Sequence, residues 1–335
     1  MKETKQHLSN SNPPITCAVV GTGYLGRFHA QKLASLPQAK LVGVCDINPD
    51  TVKKVSSELQ VPCFSDYREL VDKAEAICIA ATTSQHYALA KYFLSHGKHV
   101  LLEKPITETI EQAQELIELA EVQGVKFQIG HLERFNAARI ALDEHLTHPL
   151  FIESQRVAPF NPRGTDVNVV LDLMIHDIDL LQTFVNSPIV DIDAHGTPVL
   201  SPHIDIANTH IRFENGCAAN LTASRISFKT ERKARIFQPN SYISIDYQNK
   251  QLAVFEKGPG EMFPGIPEIL RHESVFEPKD ALLEEVKSFL ECIILDTRPL
   301  VTGNDGLHAL KVATTITELI KGQLSSVRKS ISVDS

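Results

Sequence analysis

Cysteine is scarce in this chain, with six copies scattered over 335 residues and no C-x-x-C pair. This spacing lacks the paired cysteines of cysteine-based zinc motifs and favours neither a zinc site nor a disulfide framework. Several of the cysteines fall in apolar stretches that predict buried strands. We therefore expect reduced structural thiols, no metal site and a cytoplasmic protein.

Long hydrophobic runs and an excess of basic residues are also missing. No stretch reaches the length of a membrane-spanning helix, and the polar first fourteen residues, which end in Pro13-Pro14, contain no apolar segment for secretion. We expect a disordered leader over 1–14. The net charge of -8 opposes general attraction to a polyphosphate, so neither nucleic acid nor a membrane is expected as a partner.

The chain does contain a large apolar fraction, 43%, which can form a large core, and its 335 residues are enough for two domains. From residue 15 to residue 130, apolar strands alternate with helical patterns, and this alternation predicts a parallel sheet covered by helices on both faces. After Gly130 most predicted strands follow one another, with a hairpin turn at Asn215-Gly216. We predict an α/β protein of two domains, 15–130 and 131–335, the second with a large, open, mostly antiparallel sheet.

Some expectations concern single elements. Thr107 is expected to cap the helix that Gly124 ends, and one long helix is expected to run from Val169 to Val185. The Gly- and Pro-rich stretch from Glu256 to Glu277 predicts a loop. Asn304 is expected to cap the last helix.

The first domain is organised around the glycine-rich stretch after its first strand. An apolar, β-branched run, Ile15 to Val20, is followed at once by Gly21, Gly23 and Gly26 in G-x-G-x-x-G spacing. Gly21 permits a tight turn, Gly23 permits close approach of a pyrophosphate, and Gly26 lets the next helix pack on the strand. The N-terminus of that helix, near Tyr24, would face the phosphate charge.

Three glycines alone also fit an ordinary turn, and the second strand distinguishes the two interpretations. Leu41 to Cys45 forms an apolar strand that leads into Asp46, about 20 residues beyond Gly26. A carboxylate at that position can bind the ribose 2'-hydroxyl of an adenosine dinucleotide. Together these features predict a dinucleotide-binding site.

Two groups of residues carry chemistry, and the first is Glu103-Lys104-Pro105. It follows the fifth predicted strand, at the carboxyl edge where ligands bind in such sheets. A strand-end lysine is usually a solvated charge. Here the proline restrains the chain beside Lys104, which indicates that the direction of the lysine matters.

The second group is Asp172 and His176 on a helix that is apolar almost all the way round. Burying ionisable groups is costly unless they are paired, and residues four apart share one helix face, which Asp179 extends. A structural Asp-His pair and a histidine base oriented by a carboxylate both fit this pattern.

These motifs in combination resemble the glucose-fructose oxidoreductase/inositol dehydrogenase (Gfo/Idh/MocA) family over residues 15 to 322. The resemblance implies a Rossmann domain, a C-terminal α/β domain whose sheet forms homodimers or homotetramers, and NAD(P)-dependent chemistry at a sugar or polyol hydroxyl. It departs from many members at Asn168-Val169-Val170, where they carry a pair of glycines. The cofactor residues that it implies are Gly21, Gly23, Tyr24, Leu25, Gly26, Asp46, Thr82, Thr83, His86, Glu103 and Lys104.

The resemblance also implies catalytic roles. His176 would take the hydroxyl proton, Lys104 would stabilise the developing alkoxide, and Asp172 would orient His176 or hold an adjacent hydroxyl. Because Asp46 would repel a 2'-phosphate, NAD is the expected cofactor. A dehydrogenase for inositols or free sugars and a non-catalytic NAD(H)-binding regulator are the alternatives.

The expected substrate rests on local charge and on one branch of the family. Five basic residues gather between Arg225 and Arg235, and Arg163 precedes the catalytic helix. They fit either a solvated strand edge or an anionic substrate, since arginine binds phosphate oxygens bidentately. Residues 130–136 and 170–179 resemble the branch that oxidises UDP-N-acetylglucosamine at C3 for the diamino sugar of lipid A. Substrate contacts are expected from Lys104, Arg163, Asp172 and His176.

Overall fold

The computed structural model of this protein describes residues 13–161, 167–277 and 279–333. Most of the predicted leader, residues 1–12, lies outside these ranges. Among the helices within them, none combines the length and the apolar character that crossing a membrane would require.

The first part of the described chain alternates strands and helices, as the sequence predicts. Its elements are β1 (Ile15–Val20), α1 (Tyr24–Ser35), β2 (Ala39–Cys45), α2 (Pro49–Leu59), β3 (Cys63–Phe64), β4 (Ala76–Ile79), α3 (Thr83–Ser95), β5 (His99–Glu103), α4 (Ile110–Gln123) and β6 (Phe127–Gly130). The six strands form one sheet in the order β3-β2-β1-β4-β5-β6, and every neighbouring pair is parallel. The order reverses between β1 and β4, and ligands bind outside the carboxyl ends of strands at such a point.

The second part forms a larger, mostly antiparallel sheet. Its elements are α5 (Ala137–Leu142), β7 (Phe151–Val157), α6 (Ile175–Phe184), β8 (Ile189–Thr197), β9 (Ile206–Phe213), β10 (Ala218–Ser224), β11 (Glu231–Gln238), β12 (Ser241–Asp246), β13 (Gln251–Phe263) and β14 (Ile266–Val275). Eight strands lie in the order β14-β13-β12-β11-β7-β10-β9-β8, and only the β7–β10 pair is parallel. The predicted fold class is therefore confirmed.

Two C-terminal helices, α7 (Ala281–Ile294) and α8 (Gly303–Val333), connect the two sheets. Val286 and Phe289 of α7 are buried in the same apolar cluster as Val19 of β1. Leu310 of α8 packs in a cluster of the first sheet, whereas Ile316 of the same helix packs in the cluster under the second sheet. The relative position of the two sheets is thus set by apolar packing on these helices.

The two faces of the large sheet differ because side chains alternate along its strands. Ile152, Ile236 and Ile243 point to the buried face, against α6 and α8. Their neighbours Phe237 and Tyr242 point to the opposite face, where they belong to a row of rings that runs across four strands. This row is Phe151, Phe237, Tyr242 and Phe255, with neighbouring ring centroids 5.0–5.9 Å apart.

The predicted loop from Glu256 to Glu277 is wrong, because β13 and β14 extend through most of it as a hairpin. Glycine and proline indicate a loop in the sequence, but here they occupy positions that a sheet tolerates. Gly265 has a φ of 78° in the turn, and Pro267 lies on the edge strand.

Both predicted helix caps are also wrong. Thr109, not Thr107, begins α4: its hydroxyl accepts the Gln112 backbone N–H at 3.3 Å, whereas the Thr107 hydroxyl donates to the Thr109 carbonyl. At the last helix the cap is Thr302 rather than Asn304. The Asp305 carboxylate accepts the Thr302 backbone N–H at 2.7 Å, which closes a capping box.

The predicted helix from Val169 to Val185 is in two parts. A π-helical turn covers Val170–Met174, and α6 follows from Ile175. The side chain of Asn168 accepts the backbone N–H groups of Val170 and Leu171 at 2.9 and 3.1 Å, so it caps this turn. π-helical turns are rare overall, and those that occur are often at functional sites. This one contains Asp172.

Candidate active site

The loop between β1 and α1 has the geometry that a pyrophosphate needs. Gly21 has a φ of 87°, and a Cβ at Gly26 would lie 1.7 Å from the Gly21 carbonyl oxygen, so neither position accepts a side chain. A Cβ at Gly23 would meet nothing within 4 Å, so the surface above Gly23 is open to a ligand. In the described part of the chain no side chain caps the N-terminus of α1, whose N–H groups are therefore available to phosphate oxygens.

Asp46 lies at the end of β2, beside this loop. Its Oδ2 accepts the backbone N–H and the hydroxyl of Thr22 at 2.6 and 3.0 Å, and its Oδ1 accepts the backbone N–H of Asn48 at 2.8 Å. Asp46 therefore holds the glycine loop in shape and still presents a carboxylate at the position expected for ribose. Tyr24 and Leu25 are exposed at the start of α1, 64% and 41%, where a dinucleotide would contact them.

Thr82 and Thr83 begin α3, on the next strand-to-helix connection along the sheet edge. His86, one turn further, is buried rather than open to the cleft. Its ring nitrogens lie 2.8 Å from the Pro105 carbonyl and 3.1 Å from the Ala81 carbonyl, and burial lowers its pKa. His86 thus connects the end of β4 to the segment that carries Lys104. It supports the cleft from inside and does not face it.

Glu103 also points inward. Its Oε1 lies 2.8 Å from Nε2 of His29 on α1, and its Oε2 accepts the backbone N–H of Lys104 at 3.3 Å. Glu285 of α7 lies against this pair, fully buried. Among the described residues, His29, Glu103 and Glu285 are the group with the composition of a metal site, their ligand atoms lying within 4.8 Å of one another.

The electrostatics of this group do not favour a metal. Burial, followed by the charge of Glu103, raises the pKa of Glu285 well above its ordinary value, which favours the protonated form of this carboxyl. A neutral carboxylic acid is a poor metal ligand. We interpret the group as a buried support for the backbone at Lys104.

Lys104 extends from the end of β5 to the π turn on the other side of the cleft. Its Nζ donates to the Asp172 carbonyl at 2.7 Å and lies 3.4 Å from Asp172 Oδ1. The side chains of Lys104 and Asp172 are 15% and 26% exposed, so both remain accessible to a small molecule. Two residues that are 68 positions apart in the sequence therefore meet at one point.

His176 lies one turn further on, in α6. Its Nδ1 is buried and has no hydrogen-bond partner among the residues that the structure describes, so the structure pairs Asp172 with Lys104 rather than with His176. The His176 ring lies edge-on to that of His131, with centroids 6.5 Å apart. Burial, and next the positive charge of Lys104, hold the pKa of His176 well below its usual range, so the imidazole is neutral at physiological pH.

A buried ionic network behind these residues is absent from the sequence-based prediction. Arg156 of β7 donates to both carboxylate oxygens of Asp177 at 2.8 and 3.1 Å, and to Glu133 at 2.9 Å. Arg134 donates to both oxygens of Asp179 at 2.8 and 2.6 Å. The available signal was the pair of aspartates in an apolar helix, since such charges need partners. Asp179 therefore fixes α6 to Arg134 rather than extending a catalytic face.

The predicted basic cluster does not act as one surface. Arg225 is buried, where it pairs with Asp205 at 2.9 Å and donates to the Val167 carbonyl. Lys229 and Lys233 both pair with Glu231. The five residues therefore differ in their surroundings, and Arg225 is held inside the protein rather than at a surface. Arg163, the predicted substrate contact, lies outside the described residues.

A parallel sheet with a phosphate-binding loop at its switch point, facing a lysine and a neutral histidine, is the arrangement of a nicotinamide-dependent dehydrogenase. Residues 15–131 match the family model described as "Oxidoreductase family, NAD-binding Rossmann fold", and residues 140–240 match the "GFO/IDH/MocA C-terminal domain". The chain belongs to this family, as its motifs predict. It is an NAD-dependent oxidoreductase.

Named relatives agree with this family. A UDP-N-acetylglucosamine 3-dehydrogenase from Acidithiobacillus ferrooxidans is 37% identical over 297 residues, which is 88% of this chain and 94% of that protein. A solved structure of an enzyme with that name from the same organism has a TM-score of 0.88 and 34% identity, covering 93% of this chain and 99% of the other. A scyllo-inositol 2-dehydrogenase (NAD(+)) from Bacillus subtilis is 29% identical over 324 residues, 90% of this chain and 93% of that protein.

The Asp46 geometry predicts that NAD binds more tightly than NADP. A 2'-phosphate would approach the Asp46 carboxylate, and the following Ile47, Asn48 and Pro49 offer no cation to receive it. Because the chain has no tryptophan, NADH and NADPH fluorescence can be titrated with little protein background. Asp46→Ser should reduce the difference in binding affinity between NADH and NADPH. Equal or tighter binding of NADPH by the wild type would contradict the prediction.

Proposed function

We propose that this protein oxidises C3 of UDP-N-acetylglucosamine, transferring hydride to NAD and forming the 3-keto sugar. The similarity to a relative of that name over most of both chains supports the substrate. The observation that carries the chemistry is the contact between Lys104, at the carboxyl end of β5, and Asp172, which lies one helical turn before His176. A purely NAD-sensing protein would not need these groups there.

In the proposed mechanism the protein aligns the sugar and moves one proton. Bound NAD supplies the hydride acceptor. His176, neutral because of its environment, accepts the proton of the C3 hydroxyl. Lys104 presents a fixed positive charge to the oxygen from which that proton leaves. The Asp172 carboxylate, beside Lys104, holds the lysine and offers an acceptor to a neighbouring hydroxyl.

The cofactor residues act by shape and by charge. The glycine loop and the N-terminus of α1 would hold the pyrophosphate, Asp46 the adenosine ribose, and Thr82 and Thr83 the connection toward the nicotinamide side. Glu103 and His86 support this edge from inside. These assignments account for the two buried motif residues without requiring that they touch the cofactor.

We expect NADH formation from UDP-N-acetylglucosamine and NAD, measured by absorbance and coupled to an aminotransferase that removes the 3-keto sugar. The coupling matters because accumulation of the ketone opposes the reaction. Coupled turnover should be absent with myo-inositol and with free N-acetylglucosamine. If either is oxidised readily while the nucleotide sugar is not, the inositol or free-sugar assignment replaces this one.

Further proposals concern the setting of the enzyme. A 3-keto nucleotide sugar is the substrate that an aminotransferase needs to make a diamino sugar, so we place the protein in lipid A synthesis. A cytoplasmic location agrees with six free cysteines, five of them buried. We propose that 15–130 forms the cofactor domain and 131–335 the substrate domain.

We also propose a homodimer or homotetramer that forms through the large sheet. Its open face carries the partly exposed row of rings that includes Phe237 and Tyr242, and such a surface gains by burial against a second copy. A molar mass of one chain in light scattering would contradict this.

A further inference from the structure

The five basic residues between Arg225 and Arg235 have different surroundings in the structure. Arg225 is buried on Asp205, and Lys229 and Lys233 are paired with Glu231. Arg235 pairs with Glu153. Arg232 differs from these four. Within the described residues its one ion pair is a long one, 3.7 Å to Glu133 Oε1.

Strand alternation places Arg232 on the catalytic side of the sheet. In the β7–β11 register, Arg232 lies opposite Arg156, and directly opposed residues share one face. Arg156 bonds to Asp177, which directly follows His176 in α6. Lys233 and Arg235 fall on the alternate positions of β11 and therefore point to the open face, away from His176.

The Arg232 side chain retains the capacity to bind an anion. It is 49% exposed, and Glu133, its only partner in the described chain, already accepts Arg156 at the shorter distance of 2.9 Å. The positive charge of Arg232 extends to the catalytic histidine, since it is one of the charges that lower the pKa of His176. A guanidinium in this state can still offer a bidentate pair of N–H donors to phosphate oxygens.

We infer that Arg232 binds the diphosphate of the nucleotide-sugar substrate, on the same face of the large sheet as His176. This inference rests on the proposed function and adds the residue that makes the enzyme select an anionic sugar. A free polyol would have no group for this guanidinium. The diphosphate, by contrast, is attached at C1 of the sugar ring whose C3 must reach His176.

The test is a calorimetric titration of UDP into the protein saturated with NADH, so that UDP cannot occupy the cofactor site. Arg232→Gln should weaken UDP binding by about 10- to 100-fold, the value of a charge-assisted hydrogen bond or pair. Arg235→Gln is the matched control, since it removes the same charge from the same strand on the other face. Arg232→Lys should recover part of the affinity.

Activity separates the possible failures. In the coupled assay Arg232→Gln should raise KM for UDP-N-acetylglucosamine by a similar factor and change kcat much less. If the wild type oxidises this substrate but Arg232→Gln binds UDP as the wild type does, or Arg235→Gln weakens UDP equally, the inference on Arg232 is wrong and the proposed function stands. If the wild type neither binds UDP nor oxidises its sugar, the proposed function fails and the inference with it.

Discussion

Replacing Lys104 by Ala is expected to lower kcat by about 10²- to 10⁴-fold, and His176→Ala should have an effect in the same range. Lys104 supplies the charge beside the developing alkoxide, and His176 supplies the base that takes the proton. Neither side chain contributes to the glycine loop or to Asp46, so NADH affinity should change little. Steady-state kinetics together with NADH titration of each variant measure both quantities.

The matched control is Lys98→Ala, which removes a lysine that lies next to the opposite, amino-terminal end of β5. It should retain wild-type kcat.

The pH profile adds an independent check on His176. Because the base is active when neutral and its pKa lies well below the usual value, wild-type kcat/KM should hold as the pH falls from 7 to about 6. Wild-type turnover in His176→Ala would show that this histidine is structural and is not the catalytic base.

The sequence predicts much of this architecture because the relevant signals are local. The apolar run before Gly21 and the spacing of the three glycines specify a strand, a turn and a helix within twelve residues, 15–26. Alternation of apolar strands with helices then specifies a parallel sheet, and the position of Lys104 at a strand end follows from it. Asp172 and His176 are predicted for the same reason, as ionisable groups on an apolar helix.

The features that the sequence leaves open depend on contacts between distant segments. Nothing near Arg225 in the sequence indicates that it forms a buried ion pair with Asp205. Nothing near Arg156 indicates that it pairs with Glu133 and Asp177. Charge density alone therefore joins Arg225, Arg232 and Arg235 in one cluster, whereas burial separates Arg225 from Arg232 and strand alternation separates Arg235 from Arg232. The β13–β14 hairpin is missed for a related reason, since the local sequence does not show that Gly265 lies in a turn and Pro267 on an edge strand.

The largest expected effect on stability is at Arg156. Arg156→Met should lower the free energy of unfolding by about 3–5 kcal/mol, because it leaves Asp177 buried without its cation and leaves Glu133 with only the more distant Arg232. Arg235→Met is the control, an exposed pair with Glu153 that should cost about 1 kcal/mol or less. Urea denaturation at pH 7 measures both. Equal losses in the two variants would show that the buried network carries no special stability.

The pH dependence of the Arg156→Met variant should run opposite to that of the wild type at this site. In the wild type, burial opposes the charged form of Glu133, but the charge of Arg156 outweighs it and lowers the pKa of Glu133, so this site loses stability as the pH falls through that lowered pKa. Without Arg156, burial is the largest remaining influence on Glu133, and we expect it to outweigh Arg232 and Asn136 and to raise the pKa of Glu133 above the unfolded value of about 4.3. The folded variant then binds more protons than the unfolded chain, so the stability difference from the wild type should shrink as the pH falls from 7 toward that raised pKa. A difference that stays constant over this range would mean that the loss comes from packing of the arginine side chain and not from stranded carboxylates.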